Sequence, residues 1–203
     1  MPATTSSTVA ELQQLLQRHD SPPASMAGLP LHPALSAAFP TGLRAGAAYS
    51  LDGSFTAALA LLAGPSRAGS WCAAVGLPHL SVEAAAQWGV DLDRLVLVPR
   101  LDATQWTSVV ATLIEVSDLV LAAPPEHISA GEISRVLARL RSCGSTLLVT
   151  GPWPRAAAQL TARTVRWEGL HQGHGCIHGQ RLRLEVVEHH RRRCAEFDVP
   201  VRS

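Results

Sequence analysis

From Ala47 onward the chain alternates short, near-continuous apolar runs with amphipathic stretches, the pattern of strand–helix units in a largely parallel sheet. Five runs predict strands: AAYSL (47–51), WCAAVG (71–76), RLVLVP (94–99), DLVLAA (118–123) and STLLVTG (145–151). Because they show no polar alternation, both of their faces are expected to be covered. Helices fill the intervals. FTAALALLA follows the first strand directly, and Ser81 is placed to cap VEAAAQW before Gly89 stops it. Asp102 and Gln105 have capping-box spacing ahead of the stripe Trp106, Val109, Val110 and Leu113. Ser129 and Glu132 repeat that spacing before Ile133, Val136, Leu137 and Leu140, leaving Arg135 and Arg139 four apart on a more exposed face.

The two ends read differently. Near the start, Thr8 to Glu11 has capping-box spacing, and Val9, Leu12, Leu15 and Leu16 fall on one helical stripe, so residues 1–20 read as a short helix and a candidate oligomerisation arm. Residues 21–46, rich in proline and glycine, read as a linker with one short turn near Ala34 to Ala38, and 47–203 as the core domain. At the other end, TVRWEGL (164–170), QRLRLEVVEHH (180–190) and AEFDVPVR (195–202) follow one another without helices between them. Arg181, Arg183 and Glu185 alternate with Leu182, Leu184 and Val186, which predicts an antiparallel extension covered on one face.

Composition narrows the function classes. The 203 residues suit one domain, and a formal net charge of +1 leaves no global field for nucleic acid or membrane. No apolar run approaches a transmembrane length and the start lacks a basic segment followed by an apolar one, so the expectation is a cytoplasmic protein. The scattered Cys72, Cys143, Cys176 and Cys194 are expected as reduced thiols.

The first strand, a small-residue turn and an apolar helix start (SLDGSFTAAL) form the context of a phosphate-binding loop, in which backbone N–H groups at a helix N-terminus cradle phosphates. The side chains contradict that use. All 17 basic residues are arginine, so no lysine is available for the phosphates. Asp52 adds negative charge and Phe55 brings bulk to Gly53, Ser54 and Thr56. DLVLAA ends in Ala122 and Ala123, where an aspartate would hold magnesium. Loss of ordinary nucleotide binding, no cofactor and no catalytic residues are therefore expected.

AAQWGVDLDRLVLVPR (85–100) is similar to the segment after the second strand of RecA-like recombinases, GVDLDRL being its specific part. GLRAG (42–46), DLVLAA in the Walker B place, TLLVTGPW (146–153) in the sensor-strand place, and the closing RLRLEVVEHHRR and AEFDVPV extend the likeness over about residues 30–202. Trp153 stands about where recombinases carry a sensor glutamine. Among short RecA-like proteins with a degraded loop, the chain resembles the ImuA/SulA-like group, in particular its actinobacterial, ImuA-prime-type members. The resemblance implies a RecA-like core and an accessory role in damage-induced mutagenesis. The implied partners are an ImuB-like Y-family polymerase homologue, an error-prone C-family polymerase reached through the complex, and association with the nucleoid. It also implies that the segment Val9 to Leu16 packs against an adjacent copy without ATP.

Three other constellations carry candidate chemistry. His171, His174, Cys176 and His178 have zinc-type donors, but their spacing matches no standard knuckle, and a histidine-rich hairpin connection is the simpler reading. His189, His190, Arg191, Arg192 and Arg193, with Arg181, Arg183 and Arg202, make a candidate arginine face for the carboxylates of a protein partner, or more weakly for DNA backbone, against a solvated strand end. Trp71, Trp88 and Trp106 read as core, whereas Trp153, between prolines beyond a strand end, is a candidate interface anchor, the alternative being a loop that caps the sheet. The function expected is a non-catalytic scaffold in translesion synthesis; the alternatives are a DNA-binding recombination modulator and a SulA-like assembly inhibitor.

Overall fold

The computed structural model describes residues 28–169, 176–177 and 179–200. Its strands are β1 (Ala48–Asp52), β2 (Cys72–Val75), β3 (Leu95–Val98), β4 (Leu119–Ala122), β5 (Thr146–Thr150), β6 (Ala158–Glu168), β7 (Gly179–Glu188) and β8 (Arg191–Asp198). Its α-helices are α1 (Phe55–Arg67), α2 (Val82–Gln87), α3 (Trp106–Val116) and α4 (Ala130–Cys143). The strands form one sheet in the order β3-β2-β4-β5-β1-β6-β7-β8. Neighbours from β3 through β6 run parallel, and β7 and β8 turn antiparallel.

All five predicted parallel strands are present, but β3, at the edge of the sheet, is only partly covered rather than buried on both faces as expected, with Leu97 38% exposed. The sixth, β6, begins six residues before the run that suggested it, and its first residues pair with β1 from Tyr49↔Ala158 to Asp52↔Thr161. That half is parallel, so only β7 and β8 make up the antiparallel extension. The alternation of AQLTAR is too short and too rich in alanine to stand out from a helical pattern.

Successive side chains of a strand point to opposite faces, and the core accordingly divides into two layers. Tyr49, Leu51, Cys72, Ala74, Leu119, Leu121 and Leu148 pack with α1 on one face. Ala73, Val75, Val120, Ala122, Leu147 and Val149 pack with α3 and α4 on the other. Helix α1 is buried from Ala57 to Ser66, which explains why it is apolar all round. Helix α4 is one-sided: Ile133, Val136, Leu137 and Leu140 are buried, Ser129 and Glu132 close a capping box, and left-handed Gly144 (φ 72°) ends it. The expected Asp102 box does not form; Asp102 makes no capping bond, and a 3-10 turn (Ala103–Gln105) leads into α3 instead.

Residues 28–46 are not a linker. Leu29 and Leu43 pair backbone to backbone at 2.7 and 3.1 Å, and Leu29, Leu35, Ala38, Phe39 and Leu43 enter the core. The strap crosses α1 at Gly64, where a Cβ would fall 2.4 Å from Leu31 Cα. His32 meets Trp88 edge-on, and Trp88 meets Phe197 of β8, so the strap ties the first helix layer to the last strand. Proline content concealed this packing. Trp71 also departs from expectation, being half-buried rather than core.

Candidate functional site

The nucleotide position of this architecture lies where β1 feeds α1, at the carboxyl end of the parallel strands. Here the connection is only Gly53 and Ser54. Gly53 has φ 103°, and a Cβ there would sit 2.2 Å from the carbonyl oxygen of Ala162, so β6 presses on the turn from the side. Ser54 precedes the helix without a side-chain capping bond, and Phe55, the first helical residue, is 49% exposed over the cleft. That cleft measures about 260 Å³, and Asp52, Ser54, Phe55, Thr150 and Gly151 line it.

A two-residue turn cannot wrap successive N–H groups around a phosphate, and Asp52 opposes one electrostatically. Thr56 is half-buried one residue inside the helix. Ala123, in the metal-holding place, donates its N–H to Val75 O at 2.9 Å and accepts the Trp106 indole N–H at 2.7 Å. Its methyl group has nothing to offer a cation. The residues present do not fit a magnesium nucleotide.

Beside this turn a broader groove of about 1140 Å³ opens at the carboxyl ends of β4 and β5, walled by Pro124, Pro125, Pro152 and Pro154 and floored by Trp153. Trp153 is the residue that the sequence offers either as an interface anchor or as part of a loop that caps the sheet. It is 5% exposed and packs on Trp106 with ring centroids 5.8 Å apart, its indole Nε1 buried without a hydrogen-bond partner among the described residues, as a residue of a capping loop is. At the rim, Glu132 accepts from Ser129 Oγ, Ser129 N and Thr107 Oγ1. Those bonds, the Ser129 hydroxyl first, hold its carboxyl below the usual glutamate range.

The arginine face is present but internally neutralised. Arg181 Nε and Nη2 meet Asp198 at 2.7 and 3.1 Å, and Arg183 Nε meets Glu196 at 2.8 Å. Arg192 pairs with Glu185 at 2.7 Å and Arg193 with Glu188 at 3.5 Å. Register produces this: Arg181 lies opposite Asp198 and Arg183 opposite Glu196, so each fork finds a carboxylate across the strand. Arg181, Arg183, Arg192 and Arg193, which the sequence offers as a face for a partner's carboxylates or DNA backbone, thus each have an acidic partner on this sheet; Arg191 is exposed, with no ion pair among the described residues.

Val9, Leu12, Leu15, Leu16, His171, His174, His178 and Arg202 lie outside the described residues. Cys176 is exposed, and all four cysteines are free. Among the described residues no group of His, Cys, Asp or Glu is placed to hold a metal ion, and no helix is long and apolar enough to cross a membrane. Trp167, which sequence reasoning passed over, is 52% exposed on β6, with Val165 at 44% beside it. A β-bulge between Thr164 and Arg166 interrupts the alternation there, so period-two counting could not assign its face.

Fold and site together define a RecA-like α/β domain whose nucleotide loop is shortened and blocked. The chain belongs to the family described as MT3502 N-terminal domain, whose model matches residues 37–155, more than half of its length. It is 35% identical over 131 residues to the uncharacterized protein Rv3395c of Mycobacterium tuberculosis (strain ATCC 25618 / H37Rv). That match covers 64% of this chain and 64% of the relative, so it spans less than two thirds of the relative's length. Among solved structures it is similar to the flagellar accessory protein FlaH from Methanocaldococcus jannaschii, with TM-score 0.56 and 10% identity over 81% of this chain and 88% of that one. At that identity the likeness speaks for the fold alone.

Proposed function

We propose that the chain is a non-catalytic, RecA-like accessory protein of DNA-damage-induced mutagenesis, of the ImuA-prime type. In this reading it self-associates and scaffolds an ImuB-like Y-family polymerase homologue and, through it, an error-prone C-family polymerase. The observation that carries the non-catalytic part is the β1–α1 junction. Its two-residue turn, the Asp52 charge, exposed Phe55 and Ala123 in the metal place leave neither phosphate seat nor magnesium ligand. The assembly part is supported by the resemblance of GVDLDRL and its neighbouring segments, and by the amphipathic stripe Val9, Leu12, Leu15 and Leu16.

Light-scattering mass of the purified chain, with and without ATP and magnesium, tests both parts. The expected outcome is an oligomer whose mass ignores nucleotide and falls to the monomer in Leu12→Asp/Leu16→Asp with the circular dichroism spectrum retained. Nucleotide-dependent assembly or measurable ATP hydrolysis overturns the non-catalytic reading; an unchanged mass in the double variant removes the stripe from assembly.

A further inference from the structure

On the edge of the sheet opposite the degraded nucleotide turn, three arginines that the sequence reading did not connect share one cavity. Arg44 precedes β1, Arg141 lies in the last turn of α4, and Arg155 lies in the connection from β5 to β6. They line a cavity of about 240 Å³ whose other walls are Ser134, Leu137 and small residues, with no carboxylate among them. Elsewhere on this molecule Arg94, Arg139, Arg166, Arg181, Arg183, Arg192 and Arg193 each have an acidic partner. Arg44, Arg141 and Arg155 have none among the described residues. Gathering like charges without a counterion is unfavourable unless an anion is a partner.

The backbone arranges the three rather than merely tolerating them. Gly46, at φ 72°, lies so close to α4 that a Cβ would stand 3.3 Å from Arg141 Cα, which presses the Arg44 segment onto the Arg141 turn. Arg44 is fixed by its main chain, its N–H donating to Tyr49 Oη at 2.8 Å and its carbonyl accepting from Thr146 Oγ1 at 3.2 Å, so its guanidinium stays available. Arg155 follows Pro154 at φ 59°, in the left-handed region where a turn favours glycine or asparagine. An arginine at that position is strained, which points to a use for its side chain.

The shape of the arginine set favours a phosphoryl group over a carboxylate. A carboxylate has two oxygens and is satisfied by one fork, whereas three arginines lining one cavity match the several oxygens of a tetrahedral phosphate. Ser134 Oγ already donates to Ala130 O at 2.8 Å, which leaves the arginines as the donors. The set also continues along the edge. Arg44 lines a second cavity of about 220 Å³ that holds Arg193 and its partner Glu188, and past it stands the β7–β8 turn with exposed His189, His190 and Arg191. A row of this kind matches repeated phosphates.

We propose that Arg44, Arg141 and Arg155 form a phosphoryl-binding pocket that seats the backbone of a nucleic acid along the amino edge of the sheet. This goes beyond the scaffold reading and does not depend on it, since it requires neither self-association nor a polymerase partner.

The test is fluorescence anisotropy of a labelled single-stranded oligonucleotide titrated with full-length protein at several salt concentrations. Wild type is expected to bind with steep salt dependence. Arg44→Gln/Arg141→Gln/Arg155→Gln is expected to weaken binding about tenfold or more and to lower the salt slope by about 2, the amount three lost phosphate contacts remove on a single strand. Arg155→Gly separates function from folding: it is expected to melt no earlier than wild type yet bind more weakly. Equal affinity and slope in the triple variant overturn the pocket. No oligonucleotide binding, together with thermal stabilisation by inorganic phosphate that the triple variant loses, overturns the nucleic-acid source. Absence of both responses overturns the proposal.

Discussion

Cys72 shows how strongly a single side chain depends on its layer. It is fully buried on β2 beneath α1, and burial first, then the Asp118 charge, pushes its thiol up to about 12. At pH 8 roughly one such thiol in ten thousand is ionised, and alkylation proceeds through the thiolate. Exposed Cys176 and Cys194 are therefore expected to react with iodoacetamide in the native protein, with Cys72 labelled only after denaturation. Peptide mapping of labelled native protein checks this, and early modification of Cys72 contradicts the burial described. Gly53 is the counterpart on the functional side. Its φ of 103° and the 2.2 Å approach of Ala162 O to any Cβ explain why the turn holds so little. A lysine introduced nearby does not by itself restore a phosphate seat, because the missing element is the length of wrapped backbone.

Among the elements, α4 has the most completely specified start. Ser129 Oγ accepts from Glu132 N at 3.2 Å, and the Glu132 carboxylate accepts from Ser129 N at 2.9 Å. Ser129→Ala is expected to cost about 1 kcal/mol of stability in a urea melt. Because the folded-state pKa of Glu132 is depressed, its contribution is present above the ordinary glutamate range and is lost as pH falls through the folded value. The difference in thermal midpoint between wild type and Glu132→Gln should thus shrink as pH falls below the ordinary glutamate range, with wild type the more stable at neutral pH. A difference independent of pH contradicts the charged box. At the far side of the sheet, β7 and β8 follow a related logic. Their alternation was legible in the chain, but whether their arginines were free depended on register, which no local pattern contains.

Across the whole molecule, the strap of residues 28–46 joins elements distant in sequence. Leu43 is fully buried, packing in the same core as β1, α1 and β8. Leu43→Ala is expected to destabilise by about 2–5 kcal/mol, measured by urea unfolding, whereas a linker residue would cost almost nothing. The two edges of the sheet differ in their side chains. The carboxyl edge holds the blocked nucleotide turn and the proline-walled groove, and the amino edge holds the unpaired arginines.

The five parallel strands and the α4 box were readable from the chain. Each is a local matter of apolar periodicity or capping spacing. The strap's burial, the inward position of Trp153, the exposure of Trp167 and the pairing of Arg181 and Arg183 were not, because each depends on which distant segment faces the residue. The same holds for Arg44, Arg141 and Arg155. Well separated in sequence, they meet only because β1, α4 and β6 converge at one sheet edge, and proximity across a fold leaves no periodic trace in a sequence.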